Sequence, residues 1–355
     1  MAMTIVENTH TRTHTITAGI DTHADFHVAA AIDHNGGLLG VETFTTTTGG
    51  HRDMVAWLAG FGAIDKIGVE GTGSYGAGIA RHLTGKGITV VEVDRPNRQA
   101  RHRAGKSDAV DAIAAARAAL SGTAIGIPKT RDGNIEAIRV LTVARRSAAS
   151  EWIAIINQIR HVCFTAPEEI RRRFDDLSPI MVARTTAGLR PRSSSDDVVR
   201  FTTLMTLREL GQRAMFIHEQ RKRLDAQMRP LIRESAPDLL EIYGVGYDVA
   251  AKLLIAAGDN PHRIRSEAAW AHLCGVAPIQ VSSGKNQRHR LNRGGNRQAN
   301  SAIYRIMLVR MASHDATRDY IVRRTAEGKT TGEIARMLKR YIAREVYKAL
   351  PKTMS

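Results

Sequence analysis

Between residues 15 and 44 the chain carries three runs rich in Val, Ile and Thr, TITAGID, FHVAAAID and LLGVETF, separated by short polar segments. Their alternation is that of strands. Connections this short cannot carry a crossover, so successive runs are read as antiparallel neighbours, with Gly36 and Gly37 at a hairpin turn between the second and third. The pattern then changes. MVAWLAGF at 54–61 has helical spacing, and KIGVE is a short strand ending at Glu70. GAGIARHLTGKG reads as a helix stopped by glycine, ITVVEVD as a buried strand, and SDAVDAIAAARAAL as a helix capped by Ser107. Three antiparallel strands followed by helix, strand, helix, strand, helix describe an α/β domain over roughly the first 125 residues.

Past Pro128 the periodicity becomes helical. Ile135, Ile138, Leu141, Trp152, Ile155, Ile156 and Ile159 fall mostly at three- and four-residue steps, and residues 197–235 repeat the pattern with arginines on the other face. A breaker-rich loop, LRPRSSSDD, lies between them, with Asp196 a candidate cap for the second helix. Two long amphipathic helices pack most simply as a hairpin or coiled coil, a spacer that could also form a dimer interface. A third unit starts near 237, where DLLEIYGVGYDVAAKLLIAAGD reads as helix, Gly-Val-Gly turn and helix. Helix-hairpin-helix elements of this form aim turn amides at a phosphate, although such a turn is equally at home in plain packing. The predicted domains are therefore 1–128, 129–236 and 237–355.

Charge narrows the partners. The 355 residues hold 51 Lys and Arg against 35 Asp and Glu, a net charge of +16, and 40 of the cations are arginine. Arginine matches phosphate oxygens two at a time, so the excess suits a partner carrying many phosphates better than a small metabolite. From Ala268 to His314 no acidic side chain occurs, while seven Lys or Arg do. The two cysteines, Cys163 and Cys274, exclude a disulfide framework or paired-cysteine zinc knuckle. The longest nearly apolar run, Val249 to Ala257, contains Lys252 and is far too short to span a membrane. The opening MAMTIVENTHTRTHTIT lacks the apolar core of a secretory signal, and its His10 and His14 fit a loose tail better than a metal site. A reducing, cytoplasmic location is expected.

Four carboxylates occupy telling places. Asp21 ends the first strand and Glu70 the fourth, while Asp108 and Asp111 lie three apart on one face of a helix. Chemistry in open α/β sheets collects at the carboxyl ends of strands. Carboxylates gathered there would repel one another unless divalent cations held them, and Mg²⁺ takes oxygen ligands while leaving positions for phosphate oxygens. Each residue also has a plain role open to it: Asp21 as a strand end or histidine partner, Glu70 as a cap, Asp108 as a complement to a helix dipole. Together they fit a ribonuclease-H-type element order. The sugar-kinase and actin fold also opens with strand and Asp, but it wants glycines where this chain has Thr22 and His23.

In GVAPIQVSSGKNQRHRLNRGGNRQAN, Ser282 and Ser283 precede a glycine and the cations Lys285, Arg288, Arg290, Arg293 and Arg297. No triad or nucleophile elbow accompanies them. A serine so placed is suited to attack a phosphodiester, with the cations holding the strand or stabilising phosphoryl charge. Spacing alone favours a Ser-Ser-Gly turn in a basic loop, because Ser and Gly are common turn residues.

GIDTHADFHVAAAID, VEGTGSYG, KSDAVDA, IYGVGYDVAAKLLIAAGD and the GVAP, SSG and GGN series together resemble the IS110 family of transposases and recombinases, which are bridge-RNA-guided and include Piv-type invertases. The resemblance covers nearly the whole chain. It implies a RuvC-like N-terminal domain, a helical coiled-coil middle segment and a mainly α C-terminal transposase domain. The family's Asp-Glu-Asp-Asp tetrad falls on Asp21, Glu70, Asp108 and Asp111, with Mg²⁺ as cofactor. Its nucleophilic serine falls on Ser283, with Ser282 as the fallback. It further implies donor and target DNA, a noncoding guide RNA, a dimer or tetramer, and a nucleoid-associated location in a bacterial cell. The last motif series departs from the family pattern at Arg293-Gly294-Gly295-Asn296 and Gln298-Ala299, which bears on DNA contacts. The expected function is therefore an insertion-sequence DNA transposase or site-specific recombinase. The alternatives are a Mg-dependent nuclease or junction resolvase with a structural serine, and a nucleic-acid-binding protein without catalysis.

Overall fold

The computed structural model describes residues 15–93, 107–192, 197–280, 289–290, 292 and 294–351. The chain divides into two compact units between Thr130 and Arg131.

In the first unit, β1 (Thr15–Thr22), β2 (Phe26–Ile32) and β3 (Leu38–Thr45) form an antiparallel meander. They are followed by α1 (Thr48–Ala59), β4 (Ala63–Glu70), α2 (Ala77–Gly85), β5 (Thr89–Val93) and α3 (Asp108–Leu120). β4 pairs parallel to β1, and β5 parallel to β4, which gives one sheet of order β3-β2-β1-β4-β5. A mixed five-stranded sheet with helices fits the ribonuclease-H-like expectation. The β2–β3 turn closes on Asp33, whose Oδ1 accepts from the backbone N–H of Asn35 and of Gly37 at 2.8 Å each, with Gly36 at φ +86°. α1 begins well before Met54, where apolar spacing starts, because Thr47 accepts from the Gly50 N–H and caps a polar first turn.

Strand alternation gives the sheet two unlike faces. Ile16, Ala18, Ile20, Ala29 and Ala31 pack against Met54 and Leu58 of α1 and Ile79 and Leu83 of α2. The opposite face is small: Val28 and Ala30 meet Ala112 of α3, and Gly19 and Gly68 lie under the same helix. A methyl group on Gly19 would sit 2.1 Å from the Ala116 nitrogen, and one on Gly68 would sit 2.5 Å from the Ala115 carbonyl oxygen. The glycines and the buried row Ala112, Ala115, Ala116 and Ala119 let α3 lie nearly backbone-to-backbone on β1 and β4.

The second unit is helical. α4 (Asn134–Thr165) and α7 (Val198–Ser235) form the long hairpin that periodicity predicts, and a single turn α5 (Glu168–Arg171) and α6 (Pro179–Ala187) lie between them. The Asp197 side chain accepts from the Arg200 N–H at 2.8 Å and caps α7, in place of the predicted Asp196, which lies outside the described residues. Ile155, Ile156, Ile159, Val182, Leu204, Leu207 and Ile217 make one core in the hairpin. Ile135, Ile138, Met228 and Ile232 at its other end join a second core. That core is shared with α9 (Tyr247–Ala257), α11 (Arg297–Ser313) and α13 (Thr331–Ala349).

The predicted helix before the Gly-Val-Gly turn is only a single turn, α8 (Pro237–Leu240). Gly244 takes φ +89°, and buried Val245 turns the chain into α9. The first turn of α9 carries Asp248, bound to Arg145 at 3.0 Å and Lys252 at 2.6 Å. α10 (Glu267–Leu273), the paired strands β6 (Ile279–Gln280) and β7 (His289–Arg290), and α12 (Asp315–Ala326) complete the unit. No helix among the described residues is long and apolar enough to cross a membrane.

Candidate nucleic-acid-processing site

Parallel pairing of β1 with β4 runs in register from Thr17 opposite Lys66 to Ile20 opposite Val69, so Asp21 and Glu70 are the next residues on adjacent strands at the same sheet end. Alternation puts both on the face covered by α3, because Ile20 and Val69 point into the opposite core. Ser107 caps α3, its hydroxyl accepting from Val110 N–H. Asp108 and Asp111 then fall in the first turn, over the same strand ends. Asp21, Glu70 and Asp111 are buried, each 7% exposed, whereas the Asp108 side chain is 38% exposed. The turn after β4 is secured by the Thr22 hydroxyl, which donates to the Glu70 carbonyl at 2.9 Å, and by Gly71 at φ +70°.

The electrostatics are those of crowded negative charge. Burial raises the Asp21 pKa; His23 opposes this, while the charges of Asp111 and Asp108 push it higher still. His23 Nε2 lies 3.1 Å from Asp21 Oδ2 and 3.5 Å from Asp108 Oδ2. Donor atoms of Asp21, His23 and Asp108 all lie within 4.8 Å of one another. Two carboxylates and an imidazole at that spacing, with Glu70 and Asp111 buried at the same strand ends, are a donor set suited to a divalent cation. Its charge would relieve the strain that burial and like charge place on Asp21. Sequence reasoning did not assign His23 to the site. The available signal was its place two residues after Asp21 along the same strand direction.

The opposite sheet face, near the same end, holds a second feature that the sequence did not disclose. His27 of β2 stacks on His51 of α1, with ring centroids 5.6 Å apart and planes 9° from parallel, and His51 meets His82 of α2 at 5.6 Å. Burial, together with the neighbouring His51 and His23, lowers the His27 pKa to about 4. His51 and His82 are lowered too, mainly by burial.

The other predicted residues belong to the second unit. Ser282, Ser283, Lys285 and Arg288 lie outside the described residues, as does Arg293. Arg290 is on β7, with its side chain not described, and Arg297 is the exposed first residue of α11. The glycines around this segment form a clasp. A methyl on Gly275 would meet the Gly294 carbonyl oxygen at 2.6 Å, and one on Gly295, at φ +91°, would meet the Leu273 carbonyl oxygen at 2.6 Å. Asn296 N–H donates to Leu273 C=O, and its side chain caps α11 by accepting from Gln298 and Ala299 N–H at 3.0 Å each. Asn300 Nδ2 donates to the Cys274 carbonyl at 2.8 Å, and Lys339 donates to its Oδ1 at 3.1 Å. Much of the GVAP and GGN signature thus holds α10 against the start of α11.

Comparison with known proteins returns two family matches. Residues 18–163 match the IS110-type DEDD family, described as a transposase, and residues 236–322 match the family described as transposase IS116/IS110/IS902. A Streptomyces coelicolor protein, the insertion element IS110 uncharacterized 43.6 kDa protein, is 31% identical over 182 residues. That stretch is 50% of this chain and 42% of the relative.

Proposed function

The chain belongs to the IS110 family of transposases, and we propose that it is an insertion-sequence DNA transposase or site-specific recombinase whose metal-binding residues are Asp21, Glu70, Asp108 and Asp111. The observation that carries this reading is the meeting of β1, β4 and the first turn of α3 at one sheet end, with three of the four carboxylates buried. Mg²⁺ bound there would supply positive charge to phosphate oxygens and lower the cost of an in-line displacement.

The chain's own groups do the rest. Asp21 and Glu70 are fixed by strand pairing, and Asp108 and Asp111 by a capped helix seated on glycine, so the four would need little reorganisation to hold a divalent cation beside a scissile phosphate. The Ser283 hydroxyl attacks phosphorus, and the DNA oxygen departs with the P–O electron pair and takes up, through solvent, the proton that the serine loses. The resulting phosphoserine ester conserves the bond energy until a DNA hydroxyl attacks and releases serine. Ser282 is the fallback nucleophile, and Lys285, Arg288, Arg290, Arg293 and Arg297 hold the strand or stabilise its charge.

The domain scheme of 1–128, 129–236 and 237–355 assigns the α4–α7 hairpin to assembly into a dimer or tetramer. Exposed Val140, Val143, Ile153, Phe164 and Phe216 along that hairpin support an oligomer. The net charge of +16 supports binding to donor and target DNA and to a noncoding guide RNA, within a bacterial cytoplasm and nucleoid.

Incubation with native flanking DNA and RNA in Mg²⁺, followed by a denaturing gel, should reveal a covalent protein–DNA adduct. The adduct should vanish in Ser283→Ala and in Asp108→Ala. Cleavage with no adduct would demote the serine and leave a hydrolytic nuclease.

A further inference from the structure

We infer that His23 is a ligand of the divalent cation, completing the Asp21–Asp108 pair, and that its imidazole tilts the site toward Mn²⁺ over Mg²⁺; the inference rests on the carboxylate metal-site reading above. Nε2 of His23 faces two carboxylate oxygens at once, at 3.1 Å and 3.5 Å. The 3.1 Å approach to Asp21 has hydrogen-bond geometry, whereas the 3.5 Å approach to Asp108 is a longer charge contact, so one nitrogen is presented to both carboxylates and hydrogen-bonded to only one. A shared cation accounts for both. Metal bonds of about 2.1 Å place neighbouring donors about 3.0 Å apart in an octahedron and about 3.4 Å apart in a tetrahedron. The observed 3.1 Å and 3.5 Å lie close to those two values.

The ring is also held in position. The His23 N–H donates to the Phe26 carbonyl at 3.1 Å, which closes the β1–β2 turn, and the Phe26 ring packs against the imidazole with centroids 4.8 Å apart. About a third of the His23 side chain remains exposed, at 32%, leaving an approach for an ion and a phosphate. Carboxylate and water ligands suit Mg²⁺ and Mn²⁺ alike, whereas imidazole nitrogen favours the later, softer ions, so one nitrogen in an oxygen set shifts preference along that series.

The test uses the full chain stripped of divalent ions and titrated with Mn²⁺, with free ion read by electron paramagnetic resonance and Mg²⁺ added as competitor. Pulsed measurements on the bound ion should show coupling to a directly bonded imidazole nitrogen. That coupling should disappear in His23→Ala and in His23→Gln. Mn²⁺ affinity should fall about tenfold or more and the Mn²⁺-to-Mg²⁺ preference should fall with it, while circular dichroism matches the parent. Bound Mn²⁺ without nitrogen coupling, or an unchanged preference in both variants, would overturn the ligand role and leave the carboxylate site standing. If Asp21→Asn and Asp108→Asn kept the parent affinity, the metal-site reading would fall, and this inference with it.

Discussion

Acidification from pH 7 to pH 4 should loosen the first unit through His27. Its ring is 1% exposed, stacks on His51, and has an Nδ1 with no hydrogen-bond partner, so the folded state holds it neutral with a pKa lowered to about 4 from 6.5. The unfolded chain takes up a proton as pH falls through about 6.5, while the folded chain does not until about 4. Stability therefore rises with pH across that window and is lost as pH falls through it. At 1.36 kcal/mol per pKa unit the loss reaches about 2 kcal/mol by pH 5 and about 3 kcal/mol near pH 4. Asp21 works in the opposite direction. Burial raises its pKa, so its protonation on acidification favours the fold, while His51 and His82, lowered by burial, act in the same direction as His27, and raw stability curves mix all four.

His27→Phe separates them, because it keeps an aromatic ring against His51 and removes only the titrating group. The assay is equilibration in urea at each pH, followed by a short deuterium pulse at one fixed pH, with peptides from β1 to β4 reporting the unfolded fraction. The parent should lose about 3 kcal/mol more than His27→Phe between pH 7 and pH 4. Parallel curves for the two proteins would refute the assignment of the effect to a buried neutral histidine.

Three further outcomes follow from the packing and charge already described. Gly19→Ala should cost about 3 kcal/mol or more, because its methyl meets the α3 backbone. Urea melts read on β1 peptides check this, and a near-neutral result would contradict the close seating of α3. Gly295→Ala should cost about 2–3 kcal/mol through its left-handed φ and the Leu273 carbonyl, seen as a lower melting temperature of the second unit with β1 protection unchanged. Asp21→Asn should stabilise the metal-free protein, since the parent must ionise a buried carboxyl that its neighbours repel, yet abolish the proposed strand transfer. Thermal melts in chelator and an adduct gel would measure the two effects, and a destabilised metal-free variant would contradict the charge argument.

Local patterns were legible in the sequence because they are written in adjacent residues. The three antiparallel runs, the later strand and helix order, the Ser107 cap and the long α4–α7 hairpin follow from periodicity and turn chemistry alone. Asp21 and Glu70 as strand ends, and Asp108 and Asp111 on one helix face, were readable in the same way. The start of α1 at Thr48 and the helix α6 were not, because polar or mixed segments become helical only when capped or packed against distant residues. Tertiary structure alone decided that α3 descends onto Gly19 and Gly68, that His23 reaches both Asp21 and Asp108, that three histidines from β2, α1 and α2 form a column, and that the GGN glycines clasp the end of α10. Each is a through-space distance between residues far apart in the chain or turned toward each other by a loop. Such distances are set by sheet pairing and helix seating, which the order of side chains along the backbone does not record.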